Sequence, residues 1–310
     1  MSTCFVPAGI IPPLVTPLKD HDTLDGPGLQ RLIEHVLAGG VHGLFVLGTT
    51  GEAPSLGYRL RRELIDRTCA LVAGRVPVLV GITDTAFVES VALARHAADA
   101  GASGVVVAPP YYFPAGQAEL LEYLDHLLPE LPLPLTLYNM PSHTKLVFEP
   151  ATVRRAMDDA RIVALKDSSG DMEYIHHLLR FARHRPDFHL LVGPEALLGE
   201  AVLLGGHGGV SGGANLFPRL YVAMYEAARA GDRTRVATLQ DIIMEIHERI
   251  YSLGRHPSRV IKGIKCALAL LGICDDFLAE PFHRFHEEER RLIANGLVAV
   301  RQRLQEVALD

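Results

Sequence analysis

The chain is expected to fold as an α/β protein, a (β/α)8 TIM barrel with a C-terminal helical appendage. Three observations predict this. Eight short apolar runs recur along the chain, amphipathic segments separate them, and after Ser211 the strand-like runs stop while helical patterns continue. With 310 residues, 48% of them hydrophobic, the chain can bury a large core and disorder is not expected.

The strand runs are Gly9 to Val15, Gly43 to Leu47, Pro77 to Gly81, Gly104 to Ala108, Pro134 to Tyr138, Ile162 to Lys166, His189 to Gly193 and Gly208 to Ser211. Most are apolar on consecutive residues, as parallel strands covered on both faces require, and not alternating as in a half-exposed antiparallel sheet. Between them, patterns such as Leu60, Leu64, Ile65, Thr68, Leu71 and Val72 put one apolar face of a helix against a sheet. A doubly wound sheet alternates in the same way, but eight units within roughly 230 residues suit a closed barrel of the usual size better. The last helical pattern is Ile293, Leu297, Val300, Leu304 and Val307. The expected organisation is a catalytic barrel over residues 1–232 and an extension of about three helices over residues 233–310, with no repeat or linker to mark a second independent domain.

A formal net charge of −6 without runs of like charge gives no electrostatic footprint for nucleic acid or an anionic membrane. Cys4, Cys69, Cys266 and Cys274 form neither a C-x-x-C pair nor a zinc spacing, and Cys266 and Cys274 read as small core residues. The N-terminus has no charged region followed by a long apolar stretch, and no run approaches a membrane span. A reduced, cytoplasmic enzyme is the expected setting. His176-His177, and His283 with His286 and Glu287, resemble fragments of metal sites. The first two are helical neighbours that point apart, the others belong to the appendage, and no metal site is expected. Arg255, Arg259, Lys262 and Lys265 read as a solvated helix face or subunit rim.

Barrel enzymes carry their chemistry at the C-terminal ends of the strands. Lys166 ends one of them, and the chain turns polar at once with Asp167-Ser168-Ser169-Gly170-Asp171. An ammonium partly desolvated at a buried strand end is biased toward the neutral amine, a nucleophile for carbonyl carbons; a lone lysine there can equally lift its charge to solvent. The preceding strand ends in Tyr138-Asn139-Met140-Pro141-Ser142-His143-Thr144, so a proton-transfer phenol is expected beside the amine. The second strand leads into Gly48-Thr49-Thr50-Gly51-Glu52, either a tight turn or a loop whose successive N–H groups hold a carboxylate or phosphate. The fourth leads into Pro109-Pro110-Tyr111-Tyr112-Phe113-Pro114, whose aromatic residues can simply pack at a loop or subunit contact.

These four motifs, in this order and spacing, resemble the dihydrodipicolinate synthase and N-acetylneuraminate lyase family of class I aldolases, over nearly the whole chain. The opening Pro12 to Pro17 segment and Gly205-Gly206-His207-Gly208-Gly209-Val210-Ser211 share the likeness. The resemblance implies a TIM barrel, usually a homotetramer, that forms an imine with pyruvate or a related 2-oxo acid and needs no metal or other cofactor. It implies that Lys166 is the Schiff-base residue, that Tyr138 shuttles protons, and that Thr49 links Tyr138 to a second tyrosine, Tyr112, reaching in from a neighbouring subunit. In the same pattern Gly48 and Thr50 bind the 2-oxo acid carboxylate, and Gly193 and Val210 present backbone to the ligand.

One position departs from the synthase pattern. Where that branch carries an arginine for the carboxylate of its aldehyde substrate, this chain has His143, which cannot form a bidentate fork. The Ser211-Gly212-Gly213-Ala214-Asn215 stretch also differs from the synthase pattern, and Met140-Pro141-Ser142-His143 does not resemble the neuraminate lyase loop. The expected activity is a class I lyase or aldolase that breaks or forms a C–C bond of pyruvate or a hydroxylated 2-oxo acid through a Lys166 imine, with a dehydratase of such an acid as the lesser expectation and His143 at the substrate's tail. The alternatives are 4-hydroxy-tetrahydrodipicolinate synthase, condensing pyruvate with aspartate semialdehyde, and a non-catalytic 2-oxo acid-binding barrel. The expected partners are a small 2-oxo acid and further copies of the chain, as a tetramer or dimer.

Overall fold

A computed structural model describes residues 5–309. Cys4 lies outside the described residues. Eight parallel strands follow one another around a single sheet, β1 (Gly9–Ile10), β4 (Leu44–Val46), β5 (Val78–Gly81), β6 (Gly104–Val107), β7 (Leu135–Asn139), β8 (Ile162–Asp167), β9 (His189–Val192) and β10 (Gly208–Gly209). β1 pairs with β10, and the chain just beyond β1 closes the ring: Leu14 N–H donates to the Phe45 carbonyl at 2.8 Å and Phe45 N–H to that of Pro12 at 3.0 Å. All eight expected strands are present and the chain forms the expected barrel.

The interior is a small cluster to which alternate strand residues contribute: Ile11, Phe45, Leu79, Val106, Ala108, Tyr138, Leu191 and Val210. The intervening residues face the helices and form the larger core, with Leu44, Val46, Val105, Leu137 and Leu165 buried there. Both faces are therefore apolar, which is why the strands read as continuous runs.

Aspartates start several of the outer helices. Asp25 accepts from Gly28 N–H ahead of Gly26–Ala38, and Asp171 accepts from Glu173 and Tyr174 N–H ahead of Met172–Ala182. Tyr58–Val72 buries Leu60, Leu64, Ile65, Thr68 and Val72, the expected face. The appendage contains Arg233–Ile246, Arg259–Leu270 and Glu287–Glu306, and the last buries Ile293, Leu297, Val300 and Leu304. Among the described residues no helix is long and apolar enough to cross a membrane.

Three features differ from expectation. A short antiparallel hairpin, β2 (Leu18–Asp20) with β3 (Thr23–Leu24), lies outside the barrel sheet. Its polar Lys19-Asp20-His21-Asp22 core carries no buried-strand signal. β7 and β8 each run one residue further than their apolar runs, because Asn139 and Asp167 pair in register and Asn139 Nδ2 donates to Asp167 Oδ1 at 2.8 Å. Lys265, expected on a solvated face, is fully buried. Glu52 is its counter-charge, with Nζ 2.5 Å from Oε1.

Candidate active site

Tyr138 and Lys166 are register partners on β7 and β8 and both point into the barrel. Lys166 is 5% exposed, with Nζ 4.0 Å from the centroid of the Tyr138 ring and 5.3 Å from that of Phe45. The rings desolvate the amine and present π-faces that a cation also favours. The Thr49 hydroxyl lies 3.2 Å from the Tyr138 phenol, so a proton on either oxygen can be passed along the pair. These three residues come from different strand ends and share no local sequence.

A cavity of about 280 Å³ opens over this group. Phe45, Gly48, Thr49, Tyr138 and His143 line it, with Tyr111 and Met140. Ile261 and Phe282, from the C-terminal region, complete the wall. Lys166 does not line the cavity itself; its Nζ packs against the Phe45 and Tyr138 rings that do.

The loop after β4 makes room for a ligand by a tight backbone path. Leu47 adopts φ of 59°, and its carbonyl approaches β5 so closely that a Cβ on Gly81 would lie 2.1 Å from it. Gly51 and Glu52 N–H fold back onto the Gly48 and Thr49 carbonyls at 3.1 and 3.0 Å. Among the described residues neither Thr49 nor Thr50 N–H donates to a protein acceptor, which leaves two adjacent donors for an anion. Thr50 does not line the cavity.

Gly193 and Val210 directly follow β9 and β10, Val210 packs in the interior cluster, and neither lines the cavity. Gly193 N–H donates to Asp167 O at 2.7 Å and Val210 N–H to Val192 O at 2.8 Å, so only their carbonyls are left to meet a ligand. A Cβ on Gly193 would fall 2.1 Å from the Ser168 hydroxyl. Tyr112 is 86% exposed at φ of 90° and is not brought to the cavity of its own chain; Tyr111 is. Burial, then the nearby Asp84 carboxylate, raises the Tyr111 pKa.

His143 stands on the short helix Pro141–Thr144, with Nδ1 3.0 Å from the Ser142 hydroxyl. Its outer surface is exposed, but protein crowding around the imidazole lowers its pKa, and the charges of Lys145 and Lys166 add to the effect. At neutral pH it is a neutral group that can donate or accept one hydrogen bond.

Several supporting groups went unassigned in the sequence. Asp167 accepts from Asn139 and from the Ser169 hydroxyl at 2.8 Å, while burial raises its pKa. Arg61 and Asp84 form a buried ion pair at 2.9 Å near Tyr111. Glu195 accepts from Gly213 N–H at 2.7 Å and from the Tyr221 hydroxyl. The only local signal for these was a polar residue inside or beside an apolar run. Among the described residues no group of three or more His, Cys, Asp or Glu side chains is placed to hold a metal ion.

The sequence model of the dihydrodipicolinate synthetase family matches residues 6–299. The chain belongs to this family. Within it, the chain is 56% identical to dihydrodipicolinate synthase from Bacteroides thetaiotaomicron, with a TM-score of 0.93 over 95% of this chain and 99% of that one. A second solved relative, YagE, is a prophage protein of the family from Escherichia coli K12 in complex with pyruvate. It is 31% identical, with a TM-score of 0.88 over 98% of this chain and 99% of its own. A curated relative from Escherichia coli K12, named "Probable 2-dehydro-3-deoxy-D-pentonate aldolase YjhH", is 34% identical over 301 residues, 94% of this chain and 99% of that protein. The family's lyase and aldolase activity and its TIM-barrel fold hold for this chain.

Proposed function

We propose that this chain cleaves a hydroxylated 2-oxo acid into pyruvate and an aldehyde through an imine on Lys166. The observation that carries this reading is the grouping of a buried amine, an adjacent phenol and a hydroxyl 3.2 Å from that phenol. The Lys166 amine adds to the keto carbon and water leaves, giving an iminium. Tyr138, relayed by Thr49, takes the proton of the C4 hydroxyl as the C3–C4 bond breaks. The aldehyde departs, and the bonding electron pair flows into the iminium to form an enamine. Protonation at C3 and hydrolysis return pyruvate and the free amine.

In this reading Thr50 N–H and hydroxyl, with the Gly48 backbone, hold the substrate carboxylate, the Gly193 and Val210 carbonyls edge the pyruvyl group, and His143 contacts the polar tail. A neutral imidazole suits hydroxyls better than a second carboxylate. The barrel over residues 1–232 is the catalytic unit and residues 233–310 its helical extension. The protein acts in the cytoplasm as a homotetramer or dimer in which Tyr112 is lent to a neighbour's site; its exposure supports this role. No metal or cofactor enters the cycle. The synthase reading is supported by the 56% identical relative's name. Pyruvate release across a panel of 4-hydroxy-2-oxo acids, run beside condensation of pyruvate with aspartate semialdehyde, separates the two. Cleavage of a panel member with little condensation is the expected result; efficient condensation without cleavage would favour the synthase.

A further inference from the structure

The Gly48–Glu52 loop is fastened from two sides. Thr16, fully buried, donates its hydroxyl to the Gly51 carbonyl at 2.7 Å. On the other side the Glu52 carboxylate meets Lys265 of the helix Arg259–Leu270, and both side chains are 0% exposed. The Nζ to Oε1 contact is an ion pair by distance, off-angle for a hydrogen bond. Lys265 also donates to the Phe277 carbonyl at 2.6 Å, and Glu52 Oε2 accepts from Ala279 N–H at 2.8 Å. Burial lowers the Lys265 pKa and the Glu52 charge opposes it, so the ammonium depends on its partner.

Taking both charges out of water is costly, and an apolar pair of similar volume would stabilise the fold at least as well. What the ion pair adds is geometry. Glu52 sits at φ of 58°, and its N–H binds the carbonyl of Thr49, whose hydroxyl meets Tyr138. The helix that supplies Lys265 also supplies Ile261 to the cavity wall, and Phe282 follows the Phe277 and Ala279 anchors.

We propose that Lys265 and Glu52 are positioning residues, through which the C-terminal helices hold the Thr49-Thr50 loop in its carboxylate-binding conformation. The inference rests on the proposed imine chemistry and adds to it a pair that never touches the substrate. Without the anchor, the loop's two free N–H groups lose their fixed aim and 2-oxo acid binding weakens.

The test is borohydride trapping as a function of pyruvate concentration, read beside thermal unfolding. Lys265→Met alone leaves a buried carboxylate uncompensated and is expected to unfold at markedly lower temperature. The double variant Glu52→Gln/Lys265→Met removes both charges, and Glu52→Asp keeps the charge at a left-handed position that aspartate tolerates while shortening the arm. The double variant should melt near the wild type, and Glu52→Asp, whose shorter arm draws the two buried charges apart, at a lower temperature but still folded in the assay. Both should need about tenfold more pyruvate for half-maximal trapping, the scale of a lost hydrogen bond to a charged group. Extent at saturation should stay at one lysine per chain. Unchanged half-saturation in the folded variants would make the pair purely structural and overturn the inference. Failure of the wild type to trap pyruvate would instead defeat the imine reading on which it rests.

Discussion

The Lys166 ammonium nitrogen lies 4.0 Å from the centre of the Tyr138 ring, and the two residues are in register on adjacent parallel strands. A parallel register fixes both side chains on one face at one height, so the proposed nucleophile and proton carrier are held by the barrel itself and not by a loop.

Tyr138→Phe keeps the ring against Lys166 and Phe45 and removes only the phenolic oxygen. Turnover should fall by about 10² to 10⁴, the usual cost of losing an acid–base group, while slow imine trapping persists. Steady-state kinetics with unchanged kcat would mean that the ring is packing alone.

Tyr112→Phe should lower kcat less than Tyr138→Phe does, because in the proposed mechanism Tyr112 acts on Tyr138 only through Thr49. As the tyrosine is exposed in its own chain, dilution that separates protomers should abolish activity. Activity and sedimentation measured on the same dilution series check this, and a fully active monomer would contradict it.

His143→Arg introduces a planar cation where the chain has a neutral imidazole. Condensation of pyruvate with aspartate semialdehyde should rise and cleavage of the native hydroxy-oxo acid should fall. Efficient condensation by the unmodified protein would reverse the assignment of His143.

At the opposite end of the strands, His207 stacks on His189 with ring centres 4.0 Å apart, and its Nδ1 accepts from Leu190 N–H at 3.1 Å. Burial, then His189, lowers its pKa from 6.5 to about 4. The unfolded chain therefore binds this proton more readily than the folded one. The stabilisation is fully present above pH 6.5 and is lost as pH falls from there to about 4. Urea midpoints should drop between pH 7 and pH 5, and His207→Gln should flatten that slope; identical slopes would contradict the account.

The barrel was legible because strands apolar on both faces leave unbroken runs, as in Val78–Gly81 and Gly104–Val107. The hairpin Leu18–Leu24 was not, since exposed polar strands carry no such mark. Lys166, Tyr138 and Thr49 could be found at strand ends, where residue type and position agree. Lys265 could not: its helix places it near Arg259 and Lys262, and nothing local reveals that Glu52, far away in sequence, buries and neutralises it. Asp167 and Asn139 were visible in the motifs, but their mutual hydrogen bond depends on strand register.

The central claim is the imine, and borohydride reduction in the presence of pyruvate tests it most directly. The account predicts one reduced pyruvyl group per chain, located by peptide mapping on Lys166 and absent from Lys166→Ala. No adduct, or an adduct on another lysine with Lys166→Ala still labelled, would contradict it.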